Sequence, residues 1–168
     1  MGVIADTHGQ FDQAIRAHFA GVVAILHAGD IGDPEVIRQL ERIAPVIAVS
    51  GNVDEFEESG FPRSRVIRIA GVTIGIRHIL FERGKLIPDA RAWLDKEQPE
   101  VCVFGHSHRP TIEQYGPTLL FNPGSAGPKR FSLPRGIGML TVFGGRIGPR
   151  VIPLLPKPGG KQDDRHSR

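Results

Sequence analysis

The stretch Gly2-Val3-Ile4-Ala5-Asp6-Thr7-His8-Gly9 is a short apolar run that leads directly into an aspartate and a histidine. An apolar run of this length, followed by a turn-forming residue, predicts a buried strand over residues 2–5. Apolar residues at helical spacing follow over residues 10–20, and they predict a helix that Gly21 ends. The chain therefore begins with a strand, a polar loop and a helix.

Two further apolar runs repeat this order. Residues 22–26 lead into His27-Ala28-Gly29-Asp30, and residues 46–49 lead into Ser50-Gly51-Asn52. Between them, Pro34 opens a second stretch with apolar residues at helical spacing. Strands that alternate with helices are typical of a parallel sheet with crossover helices.

The second half of the chain has a different pattern. Residues 65–70 and 72–79 read as strands separated by Gly71, which predicts an antiparallel hairpin. A helix is expected over residues 86–97 and a buried strand over residues 101–104. The other segments expected to be short antiparallel strands are 111–115, 119–121, 136–143 and 146–153. The pattern predicts an α/β protein with two sheets face to face, helices outside them, and a mostly antiparallel second sheet.

Size and composition set further limits. With 168 residues the chain favours a single domain, which we place at residues 1–155. Residues 156–168 are polar and rich in proline and glycine, so we expect a disordered tail. Cys102 is the one cysteine, which fits a reducing cytoplasm. No run approaches the roughly eighteen apolar residues of a membrane-spanning helix, so no membrane partner is expected.

The net charge gives little reason to expect a specific nucleic-acid partner. The formal value is only +3, and part of the excess lies in the predicted tail. Nucleic-acid binders usually have a stripe of lysine and arginine along one segment, and none is present. The high isoelectric point leaves weak binding to polyanions open.

Metal-capable side chains follow the predicted buried strands. Each of the first three strands ends in a loop with such residues, and the strand over residues 101–104 ends in Gly105-His106-Ser107-His108. Sites in open α/β sheets form outside the carboxyl ends of the strands, so these loops are expected to converge. With one histidine from residues 72–79 included, the candidate ligands are Asp6, His8, Asp30, Asn52, His78, His106 and His108.

The ligand types favour a pair of transition-metal ions. Carboxylate, amide oxygen and imidazole form a mixed set that suits Mn, Fe, Zn, Co or Ni and excludes all-thiolate sites. Seven ligands are too many for one four-coordinate ion, whereas two ions bridged by a carboxylate use them all. Two ions about 3.5–4 Å apart are the usual arrangement for in-line displacement at phosphorus. The set therefore indicates chemistry on a phosphate ester.

Each candidate taken alone has a structural alternative. Asp6 and Asp30 are also good helix caps, and Asn52 after a glycine is more often a turn residue. His78 on an apolar strand is more often a core histidine, and His27 has no role that the pattern assigns. The combination favours a metal site, because independent loops rarely present the ligands of one site by chance.

Other chemistries fit less well. Ser125 lies in Pro-Gly-Ser-Ala-Gly, which misses the Gly-x-Ser-x-Gly elbow, and Ser107 has no strand–elbow–helix context. No Gly-x-x-x-x-Gly-Lys phosphate loop is present. We interpret Arg77, Arg109 and Arg130, which lie near the candidate loops, as surface arginines rather than phosphate ligands.

The order of these motifs resembles the calcineurin-like metallophosphoesterase superfamily. The resemblance runs from about residue 2 to about residue 153 and rests on Asp6-x-His8, Gly29-Asp30, Gly51-Asn52, His78 and Gly105-His-Ser-His108. Within the superfamily the chain is most similar to the YfcE-like small phosphodiesterases of bacteria and archaea, to which the retromer subunit Vps29 is related. Gly-Asn-Val-Asp at residues 51–54 and Asn-Pro-Gly-Ser at residues 122–125 also resemble that group.

The resemblance implies a four-layer α-β-β-α sandwich of two mixed sheets flanked by helices. It also implies two divalent metal ions, manganese first and Fe, Zn, Ni or Co otherwise, with Asp30 bridging them. The ligands of the first ion would be Asp6, His8 and His108, and those of the second Asn52, His78 and His106. A metal-bridging hydroxide would attack a small phosphate ester, preferably a diester. The candidate catalytic residues are Asp30, Asn52 and His106.

The chain departs from the family pattern at two positions. Larger members often have a histidine after the Gly-Asn asparagine, thought to protonate the leaving group, and this chain has Val53 there. The YfcE-like group usually continues its fourth motif as His-Gly-His, and this chain has His78-Ile79-Leu80. The general acid is therefore open, and activated esters are expected to be the better substrates.

The sequence leaves two alternatives to an enzyme open. A non-catalytic Vps29-like interaction scaffold with a residual metal site is the main one, and the complete ligand set counts against it. A nucleic-acid-binding protein without catalysis is the other, and the modest charge counts against it. Assembly into a homo-oligomer is a further expectation.

Overall fold

The structure is a computed structural model that describes residues 1–54, 60–129 and 132–155. In chain order the elements are β1 (Gly2–Ile4), α1 (Ala14–His18), β2 (Ile25–His27), α2 (Pro34–Glu41), β3 (Val46–Ala48), β4 (Ser64–Ile69), β5 (Val72–Arg77), β6 (Phe81–Glu82), β7 (Lys85–Leu86), α3 (Pro88–Glu97), β8 (Val101–Val103), β9 (Thr111–Tyr115), β10 (Thr118–Asn122), β11 (Gly136–Phe143) and β12 (Arg146–Pro153). The predicted tail over residues 156–168 and Arg130 lie outside the described residues.

Two mixed five-stranded sheets form the centre of the molecule. The first has the order β12-β11-β1-β2-β3, in which β1, β2 and β3 are parallel and β11 and β12 are antiparallel. The second has the order β4-β5-β8-β10-β9, with a parallel centre of β5, β8 and β10 and antiparallel edges. The expectation of a mostly antiparallel second sheet therefore holds at its edges and is wrong for its centre. Parallel neighbours need a crossover connection, and α3 supplies it between β5 and β8.

Alternation along the strands creates four layers. Val3 of β1 and Val101 of β8 lie in the core between the two sheets. Their neighbours face outward: Ile4 packs in the cluster with α1 and α2, and Cys102 packs in the cluster with α3. Because successive strand residues point to opposite faces, one short strand serves two cores. The α-β-β-α sandwich that the resemblance implies is therefore the observed fold.

The helices are short, and α1 is much shorter than the predicted helix over residues 10–20. Gln10 N–H donates to Thr7 O at 2.9 Å, and the Asp12 carboxylate accepts from Ala14 N–H at 3.0 Å. These bonds keep residues 10–13 in turns, so the helix begins only at Ala14. Within the described ranges no helix is long and apolar enough to span a membrane.

Strand β5 ends two residues before the predicted boundary at residue 79. His78 O accepts from Gly105 N–H at 3.0 Å, where the two strands have already become loops. His78 therefore lies at a strand exit rather than on a strand. The hairpin of β6 and β7 was not predicted, because strands of two residues are too short to show a periodicity.

Candidate metal centre

Five loops carry the candidate ligands, and each leaves the carboxyl end of a strand. The loops after β1, β2 and β3 come from the first sheet, and those after β5 and β8 come from the second. Asp6 N–H donates to Gly29 O at 2.9 Å, and His8 N–H donates to Asp30 O at 3.0 Å. His106 N–H lies 3.1 Å from both carboxylate oxygens of Asp6, which joins the loops of the two sheets. All seven candidates therefore meet at one shared edge.

We call Asp6, His8 and His108 the first cluster. The Nε2 atoms of His8 and His108 are 3.3 Å apart, and His108 Nε2 is 3.3 Å from Asp6 Oδ1. Asp6 is fully buried and His108 nearly so. Three potential ligand atoms from the two sheets therefore face one point.

We call Asn52, His78 and His106 the second cluster. The amide oxygen of Asn52 lies 3.1 Å from His78 Nε2 and 3.0 Å from His106 Nδ1. His78 is buried, His106 is half-buried and Asn52 is exposed. The second cluster is therefore the more accessible one.

Asp30 lies between the clusters. Its Oδ1 is 3.2 Å from His78 Nε2, and its Oδ2 is 3.8 Å from His8 Nε2. Asp6 Oδ1 also approaches His78 Nε2, at 4.0 Å, so Asp6, Asp30 and His78 form a second group of potential ligands. The resemblance implies a bridging position for Asp30, and the geometry adds Asp6 as a second carboxylate near both clusters.

These spacings fit the coordination of divalent metal ions. Bonds of about 2.0–2.1 Å put ligand atoms roughly 3.3 Å apart in a tetrahedral arrangement and roughly 3.0 Å apart at right angles. The first cluster has spacings of 3.3 Å, and the second has spacings of 3.0 and 3.1 Å. Nitrogen and oxygen donors without sulfur suit ions of the Mn-to-Zn series. The residues present are thus able to hold such ions.

A buried hydrogen bond orients the ring of His78. Its Nδ1 lies 2.7 Å from Ala28 O, and a carbonyl can only accept, so Nδ1 carries the hydrogen. Nε2 is left facing Asp30 and Asn52. Burial lowers the pKa of His78, but the hydrogen bond to Asp30 and the charges of the nearby carboxylates raise it above its ordinary value overall. A hydrogen bond at the outer ring nitrogen is what normally fixes a metal-binding histidine.

The protonation states of Asp30 and His106 also suit cation binding. Burial raises the pKa of Asp30, but the hydrogen bond with His78 and the bond from Val53 N–H outweigh it and lower the pKa to about 2. Burial and the charge of His78 lower the pKa of His106. An ionised carboxylate and a neutral imidazole are the forms that bind metal ions.

Most of the candidate ligands have a strained backbone. Positive φ angles occur at Asp6 (54°), His8 (45°), Asp30 (54°), His106 (68°) and His108 (55°). This left-handed conformation costs a residue other than glycine on the order of 1 kcal/mol or more, and such residues cluster at functional sites. The hydrogen bonds between the loops hold them in place. The fold therefore accepts backbone strain that directs these side chains to one point.

Glycines are required where the loops approach each other most closely. A Cβ on Gly51 would overlap the backbone and the carboxylate of Asp30. A Cβ on Gly29, which has a φ of +93°, would lie 2.8 Å from His78 Nδ1. The glycines that precede Asp30 and Asn52 in sequence therefore leave room for the neighbouring ligand.

Asp54 supports the second cluster, and sequence reasoning gave it no role. Its carboxylate accepts three backbone N–H groups, from Gly51 at 2.8 Å, Ile31 at 3.0 Å and Gly32 at 2.9 Å. It therefore clamps the loop before Asn52 to the loop after Asp30. The only signal for it was its place in the Gly-Asn-Val-Asp motif.

His27 supports the first cluster, although the sequence assigned it no role. Its Nδ1 accepts from Gly29 N–H at 3.2 Å, so Nε2 carries the hydrogen and donates to Thr7 Oγ1 at 3.0 Å. The Thr7 hydroxyl donates in turn to Ile31 O at 3.0 Å. Burial lowers the pKa of His27 to about 4. The neutral ring thus joins the loops that carry Asp6 and Asp30.

The Asn-Pro-Gly-Ser segment supports the ligand loops from behind. Asn122 donates from Nδ2 to Gly105 O at 2.9 Å and to Ser107 Oγ at 3.1 Å. Ser125 Oγ donates to Asp6 O at 2.9 Å. Both serines that sequence reasoning rejected as nucleophiles thus have hydrogen bonds that hold the loops.

Asp6 and Asp30 were also candidates for helix caps, and other residues occupy the cap positions. The side chain that caps α2 is Asp33, which accepts from Glu35 N–H at 2.8 Å, and Gln13 at the N-cap of α1 makes no side-chain capping bond. Neither Asp6 nor Asp30 caps a helix in the part of the chain that the structure describes. Asn52 and His78 contact other candidate ligands, as described above. Burial raises the pKa of the Cys102 thiol, which fits its place in the core.

Two clefts open beside the second cluster. One has a volume of about 480 Å³ and is lined by Asn52 and His78 together with Arg63 and Arg77. The other has a volume of about 700 Å³ and lies on the side of His106, between the β6–β7 hairpin and β9. Its lining includes Phe81, Phe104, Arg83, Arg109, Glu82 and Glu113. Arg77 and Arg109, expected to be surface residues, thus border the site.

An α-β-β-α sandwich with nitrogen and oxygen candidate ligands at its strand exits is typical of metal-binding hydrolases of the phosphoesterase class. The model of the calcineurin-like phosphoesterase superfamily domain matches residues 1–144. The chain belongs to that superfamily.

Named relatives agree with this assignment. A probable metallophosphoesterase of Methanothermobacter thermautotrophicus is 33% identical over 159 residues, which cover 90% of this chain and 91% of the relative. The phosphodiesterase YfcE of Escherichia coli K12 is 30% identical over 115 residues, which cover 63% of this chain and 58% of YfcE. A Zn²⁺-complexed Vps29 of Entamoeba histolytica has a similar fold, with a TM-score of 0.70, 20% identity, and coverage of 91% of this chain and 99% of Vps29.

Proposed function

We propose that this chain is a metal-dependent phosphodiesterase with a two-metal centre. The observation that carries the proposal is the convergence of seven side chains from both sheets at spacings that fit metal coordination. The YfcE relative is a phosphodiesterase by name, which supports the reaction class. Manganese is the first candidate ion, with Fe, Zn, Ni and Co as the others.

Each cluster would hold one ion, and Asp30 would contact both. Ions bound there supply a nucleophilic water at neutral pH and offset the charge on the phosphoryl oxygens. Asp30 is ionised over the whole physiological range because its pKa is about 2. Asn52 is exposed and His106 is half-buried, so both are open to an arriving phosphate.

The two clefts support a diester substrate. A phosphate diester has two organic groups, and one cleft lies on the His78 side of the second cluster while the other lies on the His106 side. Each cleft has a volume in the range of sites for small molecules, about 300–1,000 Å³. A monoester would fill one of them only.

The leaving group is expected to be a good one. Val53, which follows Asn52 at the position of a histidine in larger superfamily members, is 48% exposed. An isopropyl side chain cannot donate a proton to a departing oxygen. Esters of p-nitrophenol, which leave without protonation, should therefore react faster than alkyl esters.

The proposal is tested by elemental analysis together with hydrolysis of bis-p-nitrophenyl phosphate and p-nitrophenyl phosphate in Mn²⁺. We expect two ions per chain, faster hydrolysis of the diester, and a loss on the order of 10³-fold in Asp30→Asn. The matched control is Asp33→Asn, since Asp33 caps α2 with a similar hydrogen bond. Its activity should match the wild type.

Two results would contradict the proposal. Unchanged activity in Asp30→Asn would remove the bridging role, and a metal-loaded protein that hydrolyses no phosphate ester would favour the Vps29-like scaffold. A cytoplasmic location, the absence of a specific nucleic-acid partner and assembly into a homo-oligomer stay predictions from the sequence.

A further inference from the structure

The cleft beside Asn52 and His78 contains two guanidinium groups whose roles differ. Arg77 is held in place, because its Nε donates to Ile79 O at 3.2 Å and its Nη2 pairs with Asp89. It also lies 5.9 Å from the ring centre of Trp93. Arg63 is exposed and has no hydrogen bond or ion pair with any described residue. Its charge is therefore available to a ligand.

The backbone places Arg63 next to the second cluster. Pro62 O accepts from Ser50 N–H at 2.9 Å, which ties the segment before β4 to the loop that carries Asn52. Ser64, the first residue of β4, pairs with Arg77 at the end of β5. Arg63, just before β4, and Arg77, at the end of β5, therefore border the same cleft.

Among the described residues, the one acid that lines this cleft, Asp54, does not pair with Arg63. Both carboxylate oxygens of Asp54 accept backbone N–H groups, as described above, and Asp54 makes no ion pair with Arg63. Ile79 and Ile87 add apolar surface to the wall. The second cleft differs, since Arg83 and Arg109 are matched there by Glu82 and Glu113.

We propose that the Arg63 cleft is a subsite for a second anionic group on the substrate, most simply a phosphate carried by one of its alcohol groups. This inference rests on the proposed function, and it names the class of ester that the site prefers. The scissile phosphate would lie at the second cluster, the apolar wall would contact the organic linker, and Arg63 would pair with the distal phosphate. Arginine suits this task because its planar fork matches phosphate oxygens.

The test compares two matched diesters, the p-nitrophenyl ester of thymidine 5′-monophosphate and the same compound with an added 3′-phosphate. We expect the wild type to have a roughly tenfold higher kcat/KM for the phosphorylated compound, a typical effect of one charged hydrogen bond. Arg63→Ala should lose that preference, and Arg63→Lys should keep part of it. Arg65→Ala is the matched control, because Arg65 lies in β4 two residues after Arg63, is exposed and does not line the cleft.

Hydrolysis of bis-p-nitrophenyl phosphate, which has no second anionic group, should stay within about twofold of the wild type in Arg63→Ala. Two results would overturn the subsite. One is an equal loss of activity of Arg63→Ala on all three substrates, and the other is a wild type that does not prefer the 3′-phosphorylated ester. Calorimetric titration of thymidine 3′,5′-bisphosphate into the metal-free protein separates this result from a failure of the proposed function. Binding that Arg63→Ala weakens supports the subsite even without turnover, and identical binding of the two proteins rejects it.

Discussion

The two ligand clusters use similar side chains but differ in access. In the first cluster Asp6 is fully buried, His108 exposes only 7% of its surface, and the side chain of His8 is 12% exposed. In the second, Asn52 is exposed, His106 is half-buried, and both clefts are lined by its members. If each cluster holds one ion, as proposed, we expect the enclosed first cluster to retain its ion and the open second cluster to contact the substrate.

The two clusters are also supported by different devices. Neutral hydrogen bonds of His27, Thr7 and Ser125 lie behind the first cluster. A single carboxylate, that of Asp54, clamps the loops of the second. The first support lies in the core and the second lies closer to solvent, so changes at the two should have different consequences.

The largest effect is expected from replacing one histidine in each cluster. His108→Ala should lower both the metal content and kcat, the latter on the order of 10³-fold, because the enclosed ion loses a ligand. His106→Ala should lower kcat on the order of 10²-fold while one ion per chain remains. Elemental analysis after dialysis, with kcat measured on the same samples, checks this. If His106→Ala lost both ions and His108→Ala lost neither, the roles assigned to the two clusters would be wrong.

The buried His27 predicts a pH dependence of stability. Its pKa of about 4 lies below the value of about 6.5 in the unfolded chain, so the unfolded chain binds a proton first as the pH falls. The unfolding free energy of the metal-free protein should fall by roughly 3 kcal/mol as the pH falls from about 7.5 to about 4, and this contribution should be fully present only above the unfolded pKa of about 6.5.

Denaturant titrations at a series of pH values measure this dependence. His27→Gln, which cannot be protonated, should lose the fall in unfolding free energy at acid pH. The exposed His18→Gln should keep it. The same pH profile in His27→Gln and the wild type would show that another group is responsible.

A smaller effect is expected at the clamp of the second cluster. Asp54→Asn keeps the size of the side chain but turns one acceptor into a donor that faces a backbone N–H. We expect metal affinity to fall about 10- to 100-fold, as for other residues that hold a ligand in place. Competition with a chelator measures the affinity, and Asp33→Asn serves again as the control. A loss confined to the first cluster would contradict the role given to Asp54.

The smallest effect is expected at a serine behind the first cluster. Ser125→Ala removes the buried hydrogen bond to Asp6 O and should cost about 1 kcal/mol of stability, with a modest loss of kcat. Thr118→Val removes a similar bond to Pro99 O in the second sheet and should cost a similar amount without loss of kcat. Equal activity in the two variants would show that Ser125 does not position Asp6.

Local patterns predicted the strands of the first sheet and the loops after them, since short apolar runs ended by glycine and a polar residue are locally encoded. They failed for the centre of the second sheet, where strand direction depends on the α3 crossover rather than on any one strand. They also failed for α1, because local bonds from Gln10 N–H to Thr7 O and from Ala14 N–H to the Asp12 carboxylate hold residues 10–13 in turns that no periodicity reveals.

The sequence by itself determined the kinds of side chain in the candidate site and their positions after strands, because residue identity and hydrophobic spacing are local properties. Only the tertiary structure decided that Asp6 approaches ligands of both clusters and that His27 and Asp54 hold the loops. Those relations join residues as far apart as Asp6 and His106, and they exist only where two sheets pack and bring their edges together. The tertiary structure also decided that Arg63 has no ion-pair partner among the described residues. The Asp54 carboxylate in the same cleft accepts backbone N–H groups instead.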